Sequence, residues 1–549
     1  MTGAWTNQAA WTVLDTDFQQ GHHFASNWRE WQRDPQRPRM LHYVGISPFS
    51  PNLSELTLGD GVGDLPDGWQ VFTAQCKDLG PGFHRILLEG GKVSLTLCIG
   101  DLQDQLREHV FQADTVFTTL PADKWAAQLL ARRCKRGTRL FMGMPADHIH
   151  SEAHGVTLVQ AAGFELDAPA AGLPMATGTF NPRWKIPTSR KGPQNSAGPA
   201  RCAVVGAGIA GASIAHALAV RGWKVTVYDT APSPAGGASG LPAGLAVPHV
   251  STDDNPRARL SRSGCQLLAQ HAARLLVQGQ DWDPCGVMEH RPPGNTLWHA
   301  NACWIKPAKL VEAWLAQPCI QFVGDCPVTE LQHADGRWHL RGQQGKKLGQ
   351  FETVVLANAM GSAALLGSDI LQALTTLQPV HGTLSYGNYA QTIPDLPANP
   401  INGVGCFIPH VPGVDAEQWF AGSTFEPDAA LAADSRAQHA LNMARLRQLM
   451  PLHGGNWTDL LEQGTVKQWS STRCVTHDRM PFVGPVETGR DAVVWLCIGM
   501  GSRGLSFSAL CAELIAARIG GEPLPMESSL SRSLDVDRVR RRSSAKPIG

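Results

Sequence analysis

No two of the 13 cysteines stand in a C-x-x-C pair, so the chain lacks the spacing that marks a zinc ribbon or a dithiol redox motif. The thiols are odd in number and scattered through apolar segments such as Leu97-Cys98 and Leu496-Cys497. They are expected to be reduced core cysteines of a cytosolic protein, and no metal site is expected. Net charge is missing too, because 47 basic residues balance 47 acidic ones. A neutral total carries no electrostatic signature of nucleic acid, although it is compatible with a local basic face. The first residues, MTGAWTNQAAW, have no basic stretch followed by an apolar one, and no apolar run approaches the ~20 residues that span a bilayer. A cytoplasmic protein without a membrane partner is the expectation. What remains is ordinary globular composition over 549 residues, enough for two or three domains with ample cores.

Residues 201–229, RCAVVGAGIAGASIAHALAVRGWKVTVYD, organise the rest of the chain. Cys202 to Val205 is a short apolar run suited to a buried parallel strand, and the G-x-G-x-x-G spacing follows it directly as Gly206, Gly208 and Gly211. Gly206 allows the sharp turn, Gly208 lets backbone approach a pyrophosphate, and Gly211 lets the helix lie close on the strand. The helix that begins near Ile209 and Ala210 aims its N-terminal dipole at that anion. Residues 224–228 form the second strand, and Asp229 at its end is placed to accept hydrogen bonds from a ribose diol. Such an acid favours FAD or NAD over NADP.

Two later segments return to the same site. Residues 351–360, FETVVLANAM, read as a strand that includes Ala357 and leads to a small-residue turn at Gly361. Near the C-terminus the strand VVWLCI meets Gly499, Gly501, Ser502, Arg503 and Gly504, and a helix follows from Leu505. A helix N-terminus there suits the electron-rich edge of a flavin.

The first 185 residues alternate short strands, at 12–15, 41–46, 93–99 and 114–117, with helices, as in a doubly wound α/β sheet. Residues 186–200 are rich in Pro, Gly and Ser without apolar period and read as a linker. Residues 201–530 then read as one FAD-type unit with an inserted mixed-sheet portion, including strands at 377–385, 403–410 and 418–423. Residues 531–549 form a basic tail carrying Arg538, Arg540, Arg541 and Arg542, read as a solvated tail with an RNA-contacting patch as the sharper alternative.

The glycine-rich segment 236–248, with Ser239, Gly240 and Gly244, resembles the one that follows the ribose-binding acid in amine-oxidising flavoenzymes, which implies FAD as cofactor. More specifically, VVGAGIAGA, ASGLPAGLAVPHVSTDDNP, ACWIKPAKL, VVLANAMG, RCVTHDRMPFVGPV and GMGSRGLSFSAL occur in an order that resembles the bifunctional tRNA 5-methylaminomethyl-2-thiouridine biosynthesis family. The resemblance implies an N-terminal, Rossmann-like S-adenosylmethionine methyltransferase domain and a C-terminal FAD oxidoreductase of the D-amino-acid oxidase type. It also implies tRNA as partner. The oxidase would convert 5-carboxymethylaminomethyl-2-thiouridine at the wobble position to the 5-aminomethyl form with release of glyoxylate, and the other domain would methylate the product.

The N-terminal half resembles that family through FQQGHHFASNWREWQRDPQRPRMLHYVGIS and SLTLCIGD, but its chemistry is depleted. Where the family has a glycine-rich E-T-G-F-G-x-G-x-N-F loop, this chain has Asp15-Thr16-Asp17-Phe18-Gln19-Gln20-Gly21-His22-His23-Phe24. Ser47 stands where an acid would end the second strand, and Thr118-Thr119-Leu120-Pro121-Ala122 replaces D-G-F-A-P. Asp101 alone is retained. The expectation is a methyltransferase-like fold in residues 1–185 without S-adenosylmethionine binding, the methylation falling to a separate enzyme.

Oxidising a secondary amine that bears a carboxylate requires that the carboxylate be held so that the C–H bond faces the flavin, and a guanidinium is the expected clamp. Arg473, in the family's R-x-x-x-x-D-x-x-P-x-x-G block, is the first candidate and Arg503 its rival, while Asp478 and Lys306 are read as structural and solvent-facing. His381, Thr383 and Cys406 depart from the family pattern and are expected on the substrate side. Two alternatives stay open: an oxidase of a free small amino acid such as glycine or sarcosine, and a flavin- and tRNA-binding module without turnover.

Overall fold

The computed structural model describes residues 4–53, 64–77, 79–119, 121, 123–143, 149–168, 175–186, 198–291, 294–366, 377–388, 396–451, 464–489 and 492–539. Most of the linker assigned at 186–200, and Arg540, Arg541 and Arg542 of the tail, lie outside them. Contacts divide the chain into two units. One comprises Met1–Gly198 with Ala516–Arg532, and the other Pro199–Ile515 with Ser533–Gly549.

The first unit is built on an eight-stranded sheet in the spatial order Gly82–Leu88, Val93–Ile99, Met40–Ser47, Ala10–Asp15, Ala113–Thr119, Cys134–Gly143, Met175–Phe180, Phe164–Leu166. The five strands from Val93–Ile99 to Cys134–Gly143 run parallel and the outer pairings are antiparallel. The inner strands are buried along nearly their whole length, which is why they read as continuous apolar runs. This is the doubly wound, Rossmann-like order that the resemblance implies. The segment Ala516–Arg532 is tied into this unit by Arg85, whose guanidinium donates to the Pro523 carbonyl, and by Glu108, which accepts from Ser528 and Ser529.

The second unit contains a six-stranded sheet ordered Ile320–Val323, Lys224–Tyr228, Arg201–Val205, Thr353–Leu356, Ala492–Ile498, Phe482–Gly489, parallel but for the last pair. The helix Ile209–Val220 packs on it, buried almost throughout. A bidentate ion pair between Arg221 and Glu513, 3.0 Å at each contact and about 5% exposed, anchors the far end of that helix. The inserted portion forms a seven-stranded, mainly antiparallel sheet in which Leu377–Asn388 lies between Glu417–Gly422 and Lys467–Thr476.

Arg538 is not on a solvated tail. Its guanidinium is 5% exposed, forms a two-pronged ion pair with Asp478, donates to the carbonyls of Met480 and Pro481, and lies over the Phe482 ring. Asp478 is thereby a structural carboxylate. All 13 cysteines are free thiols, and among the described residues no helix is long and apolar enough to cross a membrane and no metal-binding cluster occurs.

Candidate active site

The site begins where Arg201–Val205 ends. Gly206 takes φ +107°, in the region that favours glycine, and a Cβ there would lie 2.7 Å from the carbonyl group of Ala357, the residue after the neighbouring strand Thr353–Leu356. Asp229 pins the turn by accepting from Ala207 N–H at 2.6 Å and Ala231 N–H at 2.8 Å. Ser239 Oγ accepts from Ile209 N–H at 2.8 Å and so fixes the helix start.

These residues open on a cavity of about 670 Å³. One end is walled by Gly206, Gly208, Ile209, Ala210, Asp229 and Ser239, and further along come Gly244, Ala357, Gly499, Gly501, Ser502, Gly504 and Leu505. The other end is supplied by the antiparallel sheet, through Asn402, Cys406, Ser423, Phe425, Thr472 and Arg473. The glycine turn, the carboxylate at the second strand's end and the helix N-terminus together fit a dinucleotide.

Three residues assigned to the cofactor by sequence do not reach the cavity. Gly211 is a packing residue: a Cβ there would sit 1.8 Å from the Gly206 carbonyl oxygen. Gly240 and Gly361 lie behind the wall, where a Cβ would meet Ala235 O at 2.8 Å and Asn358 Nδ2 at 3.0 Å.

Arg473 and Arg503 part company. Arg473 lines the cavity and donates from both terminal nitrogens to Thr424 O at 3.2 Å, and to Ser423 Oγ. Burial pushes its guanidinium below its ordinary pKa. Gly382 makes room for it, since a Cβ there would lie 2.0 Å from Arg473 Nη2. Arg503 does not line the cavity. It shares its surroundings with Arg257, Glu289 and Arg479, and its guanidinium has no hydrogen-bond partner among the described residues.

Of the departures expected on the substrate side, Cys406 is in the wall, its thiol pushed up to about 11 by burial. His381 and Thr383 are one layer behind it: Thr383 N–H donates to Thr424 Oγ1, and His381 exchanges two backbone hydrogen bonds with Glu426. Lys306 is partly buried and donates to the Pro412 carbonyl rather than facing solvent. Sequence reasoning missed Ser423, Thr424, Phe425 and Gly382, since none belongs to a motif of recognisable spacing.

In the first unit the corresponding crevice lies at the carboxyl ends of Ala10–Asp15 and Ala113–Thr119, where the strand order reverses. Several side chains are packed beside it. Phe18, 2% exposed, covers Gly45 so closely that a Cβ there would lie 2.3 Å from its ring. His23 stacks on Phe117 at 4.4 Å. Asp15 is fully buried, accepts from Tyr43 Oη at 2.7 Å, and is held above the ordinary carboxylate pKa by that burial. Ser47 Oγ donates to Phe49 O, Asp101 caps the helix Leu102–Glu108, and Leu120 and Ala122 lie outside the described residues.

A parallel sheet with a glycine turn, facing an antiparallel sheet with an arginine in its wall, defines an FAD-dependent oxidoreductase, and the family described as FAD dependent oxidoreductase (DAO) matches residues 201–295 and 288–518. The chain belongs to the family of tRNA 5-methylaminomethyl-2-thiouridine biosynthesis bifunctional proteins. It is 44% identical to the member named MnmC from Albidiferax ferrireducens, over 97% of this chain and 94% of that one. It is 38% identical to that from Polaromonas naphthalenivorans, over 96% and 90%. Among solved structures, glycine oxidase from Geobacillus kaustophilus aligns with a TM-score of 0.47 and 18% identity, over 62% of this chain and 99% of that one.

Proposed function

We propose that this cytoplasmic protein uses FAD to oxidise 5-carboxymethylaminomethyl-2-thiouridine at the tRNA wobble position to the 5-aminomethyl form, releasing glyoxylate. The observation that carries the reading is the Arg473 guanidinium in the wall of the same cavity on which the dinucleotide turn opens. Bound FAD supplies the hydride acceptor. Gly206, Gly208 and Asp229 would hold its pyrophosphate and ribose, and Gly499, Gly501, Ser502 and Gly504 its ring. Arg473, braced by Ser423 and Thr424, presents its remaining N–H groups to the substrate carboxylate and so fixes the amine and its methylene next to the ring. Arg503, outside the cavity, is not assigned the clamp.

The residues at the first unit's switch point fit S-adenosylmethionine poorly, because Asp17 and Gln19 replace two loop glycines, Gln19 in the left-handed backbone region that favours glycine, and His23 is stacked on Phe117. Residues 1–185 therefore act as a methyltransferase-like domain without methyl transfer, joined by the linker 186–200 to the oxidase, and a separate enzyme methylates the product. The oxidase reading predicts that anaerobic addition of tRNA bearing the carboxymethylaminomethyl group bleaches the flavin absorbance within seconds to minutes. Bleaching by free glycine or sarcosine, but not by the tRNA, would replace it with a small-molecule oxidase.

A further inference from the structure

We propose that Phe425 is the platform on which the wobble base stacks when it is drawn into the site, and that it sets the preference for a nucleobase-bearing amine over a free amino acid. The inference rests on the tRNA reading above. A base reaches an enclosed active site only by leaving its own stack, and an aromatic side chain at the mouth restores the lost stacking.

Phe425 is 46% exposed, yet it lines the cavity that Arg473 lines. An isolated exposed phenylalanine needs no explanation on a surface. This one is held from both sides. The residue before it, Thr424, is fully buried; its N–H donates to Thr383 O at 3.1 Å and its Oγ1 accepts from Thr383 N–H at 2.9 Å. The residue after it, Glu426, exchanges hydrogen bonds with His381 at 2.8 and 2.9 Å. Backbone bonding of this kind fixes the direction in which the Phe425 Cα–Cβ bond leaves the chain, and the ring it carries lines the cavity. The carbonyl that receives the Arg473 guanidinium is that of Thr424, so the carboxylate clamp and the aromatic ring are carried by consecutive residues. In the substrate only a methylene, an amine and a second methylene separate the carboxylate from the pyrimidine ring. A substrate whose carboxylate is on Arg473 therefore brings its ring toward the mouth where Phe425 stands. The flanking partners His381 and Thr383 acquire a role here, because they position this segment without entering the cavity.

The test compares Phe425→Ala and Phe425→Trp in the flavin-loaded full chain, reading equilibrium binding of the 5-aminomethyl product tRNA, which has no carboxylate for Arg473. Loss of one base–aromatic stack predicts about tenfold weaker binding for Phe425→Ala, with Phe425→Trp at wild-type affinity or tighter and flavin content unchanged in both. Wild-type affinity in Phe425→Ala, or equal weakening in Phe425→Trp, would overturn the assignment. Loss of flavin from Phe425→Ala would also overturn it, making the ring a cofactor contact. Failure of the tRNA to bleach the wild-type flavin is a separate outcome that removes the tRNA reading and this inference with it.

Discussion

Replacing Arg473 by alanine is expected to lower the second-order rate constant for flavin reduction by the carboxymethylaminomethyl tRNA by roughly two to three orders of magnitude, about 3–4 kcal/mol of transition-state stabilisation. The size follows from the setting. The guanidinium lies in a cavity wall among Cys406, Ser423 and Thr472, where screening by water is reduced and a charge-assisted, two-pronged contact is strong. Arg473→Lys keeps the charge but cannot reproduce the planar fork, so it should fall between the two, at roughly a tenth to a hundredth of the wild-type constant. Anaerobic stopped-flow in the visible band of the oxidised flavin checks both variants. Flavin stays bound in each, because the residue's partners are Ser423 and Thr424 and not the dinucleotide turn. An Arg473→Ala variant reduced at the wild-type rate would transfer the clamp elsewhere, with Arg503→Ala the next variant to measure.

The second large effect concerns the turn itself. Gly211→Ala is expected to yield protein purified without flavin, with affinity for added FAD reduced more than about a hundredfold, because the new Cβ would lie 1.8 Å from the Gly206 carbonyl oxygen, a backbone atom that cannot swing aside. Relief requires the helix Ile209–Val220 to lift from the strand Arg201–Val205, which opens the loop that Asp229 and Ser239 brace. Gly80→Ala is the control, since a Cβ at that position meets nothing within 4 Å and Gly80 does not line the cavity. The ratio of visible to ultraviolet absorbance reports bound flavin, and circular dichroism reports whether the variant is folded. A folded, fully yellow Gly211→Ala protein would show that the turn tolerates the shift.

What the sequence made legible is what is encoded by local spacing. The strand, glycine turn, helix and second strand of residues 201–229 were readable because each glycine answers to a backbone requirement within a few residues. Strand Lys224–Tyr228 and strand Val93–Ile99 have the bounds that the apolar runs give. The substrate end was less legible, because it is assembled from residues far apart in the chain. Gly382 gives space to Arg473, Thr383 fixes Thr424, and both depend on the antiparallel register of Leu377–Asn388 with Lys467–Thr476 and Glu417–Gly422. Charge was the least reliable guide. Arg538 sits in a basic run, which reads as solvated, but Asp478, 60 residues earlier in the chain, draws it inside. The composition boundary at residue 530 likewise gives no sign that Ala516–Arg532 clusters with the first unit, since that grouping depends on Arg85 and Glu108.

The central claim is that one half of this chain oxidises the wobble uridine and the other no longer methylates it. The most direct test is nucleoside analysis by mass spectrometry after the purified protein is incubated in air with carboxymethylaminomethyl tRNA and S-adenosylmethionine. The account predicts accumulation of the 5-aminomethyl nucleoside with one glyoxylate per base converted, and no mass increment of a methyl group. Appearance of the 5-methylaminomethyl nucleoside would contradict the assignment of the first unit, and unchanged starting nucleoside would contradict that of the second.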